Sequence, residues 1–266
     1  MPTTHLVPPG TSIDLQNYDT RAEAFHSDRA AAEDEFKDLR DQFIDLQPRL
    51  YAEAKQKLLI VLQAMDAGGK DSTTRKVCKG VNPQGVKVTS FKKPTAEELS
   101  HDFLWRIHKA VPAAGMIGIF NRSHYEDVLV VRVHQLVPPE VWQPRYQIIN
   151  QFEHLLHSSG TRILKFFLHI SKQEQKERFQ ERLDRPEKHW KFDRGDLDKR
   201  KLWDEYQIAF ADMLTNCSTD YAPWHIIPAD QKWYRNLAIT RVIVHTLQEM
   251  NPQFPVAEDL SGITIP

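Results

Sequence analysis

The sequence predicts a parallel α/β domain with helices on both faces of one sheet. Five strand-length apolar runs alternate with helical patterns, and such alternation needs crossovers and hence parallel strands. The runs are nearly continuous in apolar residues, as expected of strands buried on both faces. The first run, Leu58 to Leu62, leads into Gln-Ala-Met-Asp-Ala-Gly-Gly-Lys-Asp-Ser-Thr-Thr from Gln63 to Thr74. Strand, glycine turn, lysine and new helix follow one another in the order of a P-loop, or Walker A, segment.

In chain order, residues 1–27 carry prolines and no periodicity and read as an extended N-terminal arm. Phe36, Leu39, Phe43, Leu46 and Leu50 recur at helical spacing, so residues 28–57 form a helix that Pro48 kinks or restarts. The second strand is Val86 to Phe91. Thr95 and Glu98 then form a capping box that starts a helix containing Trp105 and Ile107. Met116 to Phe120 is the third strand, with Asn121-Arg122-Ser123 at its tip and a helix over Tyr125 to Val133. Val141 to Leu156 is a helix, and Ile163 to Ile170 is the fourth strand. Ser171 caps a charged helix, and polar residues 184–197 form a mobile loop, so that about 172–201 constitutes a lid with Trp190 as its packing anchor. A helix over 197–214, a fifth strand at Trp224 to Ile227, a helix from Trp233 to Met250 and a tail at 251–266 complete a single domain.

Composition bounds the function. Lys plus Arg is 35 and Asp plus Glu is 36, a net charge of −1, so no global basic field calls for nucleic acid and any polyanion site is local. The two cysteines, Cys78 and Cys217, provide neither a disulfide framework nor a metal spacing, which implies a reducing compartment. The N-terminus lacks the basic and apolar segments of a secretion signal, and no apolar run approaches membrane-spanning length. These features indicate a cytoplasmic protein with no membrane partner.

Ligands of a parallel sheet gather at the carboxyl ends of its strands. That rule brings together three constellations. The first is the loop itself, where Ala67, Gly68, Gly69, Lys70, Asp71, Ser72, Thr73 and Arg75 form an anion nest at a helix start. Ala64 and Asp71 stand where the motif usually has Gly and Ser or Thr. Asp66 is the unusual member, because a carboxylate in a phosphate cradle is repelled unless a cation intervenes. It points to Mg²⁺ or to orientation of an accepting phosphate. The second is the tip of the third strand, where Arg122 suits a transferring phosphoryl group and Glu126 and Asp127 are candidate metal ligands in place of a missing aspartate at Asn121. The third is the basic lid, with Arg178 and Arg182 one helical turn apart, then Arg185 and Lys188. Interleaved acids make a solvated charged helix the competing reading of that stretch. His101, His108, His124 and His134 match no zinc spacing.

Together with Ser-Phe-Lys-Lys-Pro-Thr at Ser90, His-Asp-Phe-Leu-Trp-Arg at His101, Phe-Asn-Arg-Ser-His-Tyr-Glu-Asp-Val-Leu-Val at Phe120 and Arg-Pro-Glu-Lys-His-Trp-Lys at Arg185, the loop resembles the polyphosphate kinase 2 family over roughly Asp28 to Met250. The one-domain length and the form of the Asn121 motif resemble its class III branch. The resemblance implies a three-layer, thymidylate-kinase-like P-loop kinase fold with a five-stranded parallel sheet and a helical lid. It implies phosphate transfer from inorganic polyphosphate to AMP and ADP, with guanine nucleotides as alternative acceptors, with Mg²⁺ (Mn²⁺ as a substitute), and a homo-oligomer. Asp66 would hold the metal and orient the acceptor, Gly68, Gly69 and Lys70 would cradle phosphate, and Arg122 would bridge donor and acceptor. Arg178, Arg182, Arg185 and Lys188 would line the polyphosphate path. Two rival readings remain: an ATP-dependent nucleoside monophosphate kinase of the same fold, and a regulatory nucleotide-binding module without turnover.

Overall fold

The computed structural model describes residues 4–259, 261 and 263–265. Its sheet has five strands, β1 (Lys57–Ala64), β2 (Val86–Ser90), β3 (Ile117–Asn121), β4 (Thr161–His169) and β5 (Trp224–Pro228), in the order β2-β3-β1-β4-β5. Every pairing is parallel. The apolar runs specify this directly: Leu58 to Ala64 are buried along β1, and all of β3 and β5 is buried. At the β2 edge the outer residues Lys87 and Val88 are exposed.

The longer helices are α1 (Arg29–Glu53), α2 (Lys70–Val77), α3 (Arg145–Ser158), α4 (Lys172–Asp184), α5 (Gly195–Lys201), α6 (Trp203–Cys217) and α7 (Lys232–Met250). On one face α7 packs against α1, α2, β4 and β5. On the other, α3 packs on β4 and against α6. The register Leu62–Asn121 and Ala64–Leu168 brings the ends of β1, β3 and β4 to one rim.

Several expected boundaries shift, each for a local reason. The α1 helix runs unbroken across Pro48, so that residue neither restarts nor ends it. The capping box at Thr95 forms, but its helix lasts only Ala96–Leu99. The Asp102 side chain then accepts from Leu104 N at 2.9 Å, and a second turn covers Trp105–His108. Instead of one helix over 125–133 there is a 3₁₀ turn, His124–Asp127, and a short helix, Val130–Val133. Pro144 divides the 141–156 segment into Pro139–Trp142 and α3. The expected loop at 184–197 contains a 3₁₀ helix, Pro186–Lys191, and the start of α5. Trp190 is 79% exposed, so it anchors nothing.

The N-terminal arm is not free. Leu6 pairs antiparallel with His225, and Val7, Ile13, Leu15 and Ala22 are buried in the common core. Met1–Thr3 lie outside the described residues. In the tail, 251–259 has no helix or strand, and residues 260, 262 and 266 lie outside the description.

A buried polar cluster supports the rim from below. Lys165 on β4 donates to Glu153 Oε2 at 2.6 Å, Tyr125 OH at 2.8 Å and Cys217 O at 2.7 Å. Tyr125 and His124 both meet Glu153 Oε1, at 2.7 and 3.1 Å. Burial pushes the Glu153 carboxyl up, but Lys165 and His124 overcome this and hold it below the ordinary range. The cluster therefore fixes the turn that carries Arg122 and Glu126. Removing one partner of a buried ion pair strands the other charge, at about 3–5 kcal/mol. Lys165→Met is expected to cost that much in urea unfolding, with the double variant Lys165→Met, Glu153→Gln recovering part of it. A loss below about 1 kcal/mol in the single variant would contradict the role given to the pair.

Candidate functional site

The loop after β1 folds tightly because its glycines and one alanine permit it. Ala67 and Gly69 have φ of 60° and 101°. At Gly68 an added Cβ would lie 2.5 Å from Ala64 Cβ and 2.8 Å from Met65 O, so no larger residue fits. Gly69 precedes α2, and Ser72 Oγ donates back to Gly69 O at 2.9 Å. Thr73 is buried, while Asp71 and Arg75 lie at the exposed side of the helix. Asn121 donates its side-chain amide to Asp71 Oδ1, tying α2 to the tip of β3. The buried Lys70 ammonium turns back and donates to Ala64 O at 3.0 Å.

Asp66 sits at the centre. Arg122 Nη2 reaches its Oδ1 at 2.7 Å and Lys199 Nζ reaches its Oδ2 at 2.9 Å. Burial pushes the Asp66 carboxyl up, yet Arg122, Lys70 and Lys199 together hold it below the usual carboxylate range. Arg122 adopts φ 61°, a left-handed conformation costly for a side chain of its size and characteristic of functional turns. Its other amino group lies 3.5 Å from Glu126. Asp66, Arg122, Glu126, Lys199, Tyr206 and Phe210 line a small cavity of about 30 Å³.

Asp127 faces elsewhere. It is paired with Arg145 at 2.8 Å, and burial raises its carboxyl to about 6 against the opposing pull of Arg145. Of the two carboxylates expected to assist Asp66, Glu126 alone borders the cavity with it. Among the described residues no cluster of three His, Cys, Asp or Glu side chains could hold a metal unaided. Two carboxylates sharing one cavity, one of them held by two cations, still form a hard-oxygen set for a divalent ion. Mg²⁺ ordinarily completes its shell with water and substrate phosphates.

The basic lid residues divide. Arg178 is buried and committed to the protein, donating to Ala67 O at 2.9 Å and Ala229 O at 2.6 Å and pairing with Glu174 at 2.7 Å. It braces the loop from behind. Arg182 pairs with Asp196 at 3.3 Å. Arg185 and Lys188 pair with Glu181 at 3.2 and 2.6 Å on the surface, contacts that are worth little in water and easily exchanged.

Sequence reasoning missed three contributors. Lys199 lay inside the lid segment with nothing to distinguish it from its basic neighbours. Gln175, buried on α4, donates to Asp66 O at 2.9 Å. Arg235 on α7 is 1% exposed and donates to Ser72 Oγ at 3.2 Å. Its signal was available: an arginine within a largely apolar helix from Trp233 to Leu247.

Three comparisons bear on this geometry. The family described as Polyphosphate kinase 2 matches residues 26–255. An "AMP/ADP-polyphosphate phosphotransferase" from Meiothermus ruber is 53% identical over 258 residues, 97% of each chain. An "ADP-polyphosphate phosphotransferase" from Rhodopseudomonas palustris is 42% identical, over 92% of this chain and 89% of that one. The crystal structure of polyphosphate kinase 2 from Arthrobacter aurescens TC1 superposes with a TM-score of 0.91 at 42% identity, covering 95% of this chain and 91% of that chain.

Lys70 gives this site a pH dependence. Burial, then Arg122, lowers its ammonium from 10.5 to about 8. The unfolded chain thus holds this proton more tightly than the folded one, so stability from this group rises with pH between about 8 and 10.5. Anion binding runs the other way, since it needs the charged form. The affinity for inorganic tripolyphosphate is expected to fall above pH about 8, approaching tenfold per pH unit, as calorimetry would measure. A flat profile, or the same slope in Lys70→Met, would remove Lys70 from anion binding.

Proposed function

The chain belongs to the polyphosphate kinase 2 family, and from that premise we propose that it moves phosphate from inorganic polyphosphate to AMP and ADP, yielding ADP and ATP. One observation carries the reading for this chain: Asp66 stands inside the phosphate-binding loop between Arg122 and Lys199, with Lys70 acting on the same carboxylate. A site that only stored a phosphate would not keep a carboxylate there. A site that joins two phosphate chains needs one, to place a cation and the accepting oxygen between them.

The donor chain lies on the nest of Ala67 to Thr73, where Gly68 and Gly69 let the backbone N–H groups converge and Lys70 swings from Ala64 O to a phosphate oxygen. Arg122 spans donor and acceptor and offsets the charge on the phosphoryl group in flight. Asp66 and Glu126 would hold Mg²⁺, or Mn²⁺ in its place, which when bound would neutralise phosphate charge. Lys199, paired with Asp66 at 2.9 Å, is close enough to exchange that carboxylate for an oxygen of the transferring group. Arg185 and Lys188 exchange their surface acids for the distal donor chain, with Arg182 following once Asp196 is released. Arg178 shapes the nest through Ala67 O and does not touch the donor.

The same reading carries a cytoplasmic setting and a homo-oligomer. Unpaired Cys78 and Cys217 fit the first. Ile148 and Leu155, seven residues apart on α3 and 39% and 53% exposed, give an apolar face that suits the second. No helix among the described residues is long and apolar enough to cross a membrane.

The activity is tested by incubating the protein with polyphosphate, Mg²⁺ and each of AMP, ADP, GMP and GDP, and resolving the products. ADP and ATP are expected from the adenine acceptors without any ATP donor. Turnover with ATP as donor and none with polyphosphate would assign the chain to the rival monophosphate kinases. For Asp66→Asn the single-turnover rate is expected to drop by about two orders of magnitude, the scale of losing a positioned electrostatic group. Apo thermal stability tells whether the variant is folded. An unchanged rate in the folded variant would take Asp66 out of the reaction.

A further inference from the structure

We propose that Arg235 is a positioning residue for the phosphate-binding loop: its guanidinium, packed against Gly69 with one amino group lacking an acceptor, is a fixed positive charge behind the nest that favours the donor polyphosphate. The inference rests on the donor reading above and extends it to a residue on α7, far from the loop in sequence.

Four observations meet at this side chain. It is 1% exposed. Its Nη2 donates to Ser72 Oγ at 3.2 Å and to Asn236 Oδ1 at 3.0 Å, which fixes the fork against the first turn of α2. Its Nη1 is buried with no hydrogen-bond partner. A Cβ built on Gly69 would lie 2.1 Å from that same Nη1, so the guanidinium is held directly against the backbone of the nest. Gly69 is therefore required both for its φ of 101° and for the space that Arg235 occupies.

The charge balance points to an anion. No carboxylate among the described residues forms an ion pair with Arg235. Glu174 attracts it, but Glu174 is itself paired with Arg178 at 2.7 Å. Burial, and then the neighbouring Arg178, lowers the Arg235 guanidinium to about 9, the direction expected of a cation short of negative charge. Two buried arginines thus face one acid behind a loop whose own N–H groups and helix start are also positive. A buried unpaired charge is strongly unfavourable, and a phosphate chain in the nest supplies what it lacks. Because the fork is already fixed by Ser72 and Asn236, its field acts on the bound donor without reorganisation.

The test compares wild type, Arg235→Met and Arg235→Lys by calorimetric binding of inorganic tripolyphosphate and, separately, of AMP, with thermal melting and donor and acceptor KM alongside. In Arg235→Met, tripolyphosphate affinity should fall about tenfold or more, as expected for a buried charge acting over a few ångströms. Donor KM should rise, while AMP affinity and acceptor KM stay at wild-type values. Arg235→Lys restores a cation there only where the pH is low enough to protonate a buried ammonium, so it should regain part of the loss at about pH 6 and less of it as pH rises. Three results would overturn the proposal: unchanged tripolyphosphate binding in Arg235→Met, equal loss of both ligands with a lowered melting temperature, or no recovery in Arg235→Lys at about pH 6. A wild-type protein that does not bind tripolyphosphate would overturn the donor reading and this inference with it. Loss confined to Arg235→Met leaves the donor reading standing and supports the inference.

Discussion

The carboxylate of Asp66 is the constraint on which the rest of the site depends. It is mostly buried, and a lone charge there would be costly. Arg122 and Lys199 pair with it from opposite directions, one from the tip of β3 and one from α5. Each partner must be delivered by the fold. The Leu62–Asn121 register in the β1–β3 pair brings Arg122 alongside, and the Arg122 amide closes onto Leu62 O at 3.1 Å. The left-handed turn at Arg122 is held by Ser123, which accepts from Gln63 at 3.1 Å, and by the buried Glu153–Lys165 pair beneath His124 and Tyr125. A strained backbone persists where its surroundings over-determine it.

The lid is anchored at its root and loosely held at its tip. Gln175 and Arg178 on α4 bond to the carbonyls of Asp66 and Ala67, and Arg200 on α5 bonds to Gln175 at 2.9 Å. Arg185 and Lys188 beyond them hold only surface acids. Motion that admits substrate is therefore expected to hinge between Asp184 and Gly195, with the root of α4 remaining part of the phosphate loop. Lys199, on α5 just beyond that stretch, reaches Asp66 at 2.9 Å while Arg122 holds the other carboxylate oxygen.

Much of this was legible in the sequence, because strands buried on both faces leave continuous apolar runs and a phosphate loop needs glycines next to a lysine. Leu58 to Leu62 and Gly68 to Lys70 carried both signals. Helix lengths were less legible where a proline or an aspartate side chain competes locally with the helix, as at Pro144 and Asp102. Least legible were pairings across the chain. Nothing near Asp127 announces Arg145, and nothing in the lid distinguishes Arg178, which braces the loop, from Arg185, which faces solvent. The same limit hid Arg235, whose partner Ser72 lies 163 residues away. Charge type can be read from sequence, whereas burial and direction depend on contacts that only the fold assembles.

The central proposal is that Asp66 would supply a carboxylate ligand to a divalent cation at this site. Mn²⁺ uptake, followed by electron paramagnetic resonance in the presence of tripolyphosphate and AMP, tests it without relying on turnover. Wild-type protein should bind Mn²⁺, and Asp66→Asn should bind it about tenfold or more weakly, the scale of perturbing a metal's ligand set. Lys199→Gln should bind it at least as well as wild type, because a competing cation has been removed. Equal Mn²⁺ affinity in the wild type and a folded Asp66→Asn protein would contradict the account and leave Asp66 as no more than a partner for Arg122 and Lys199.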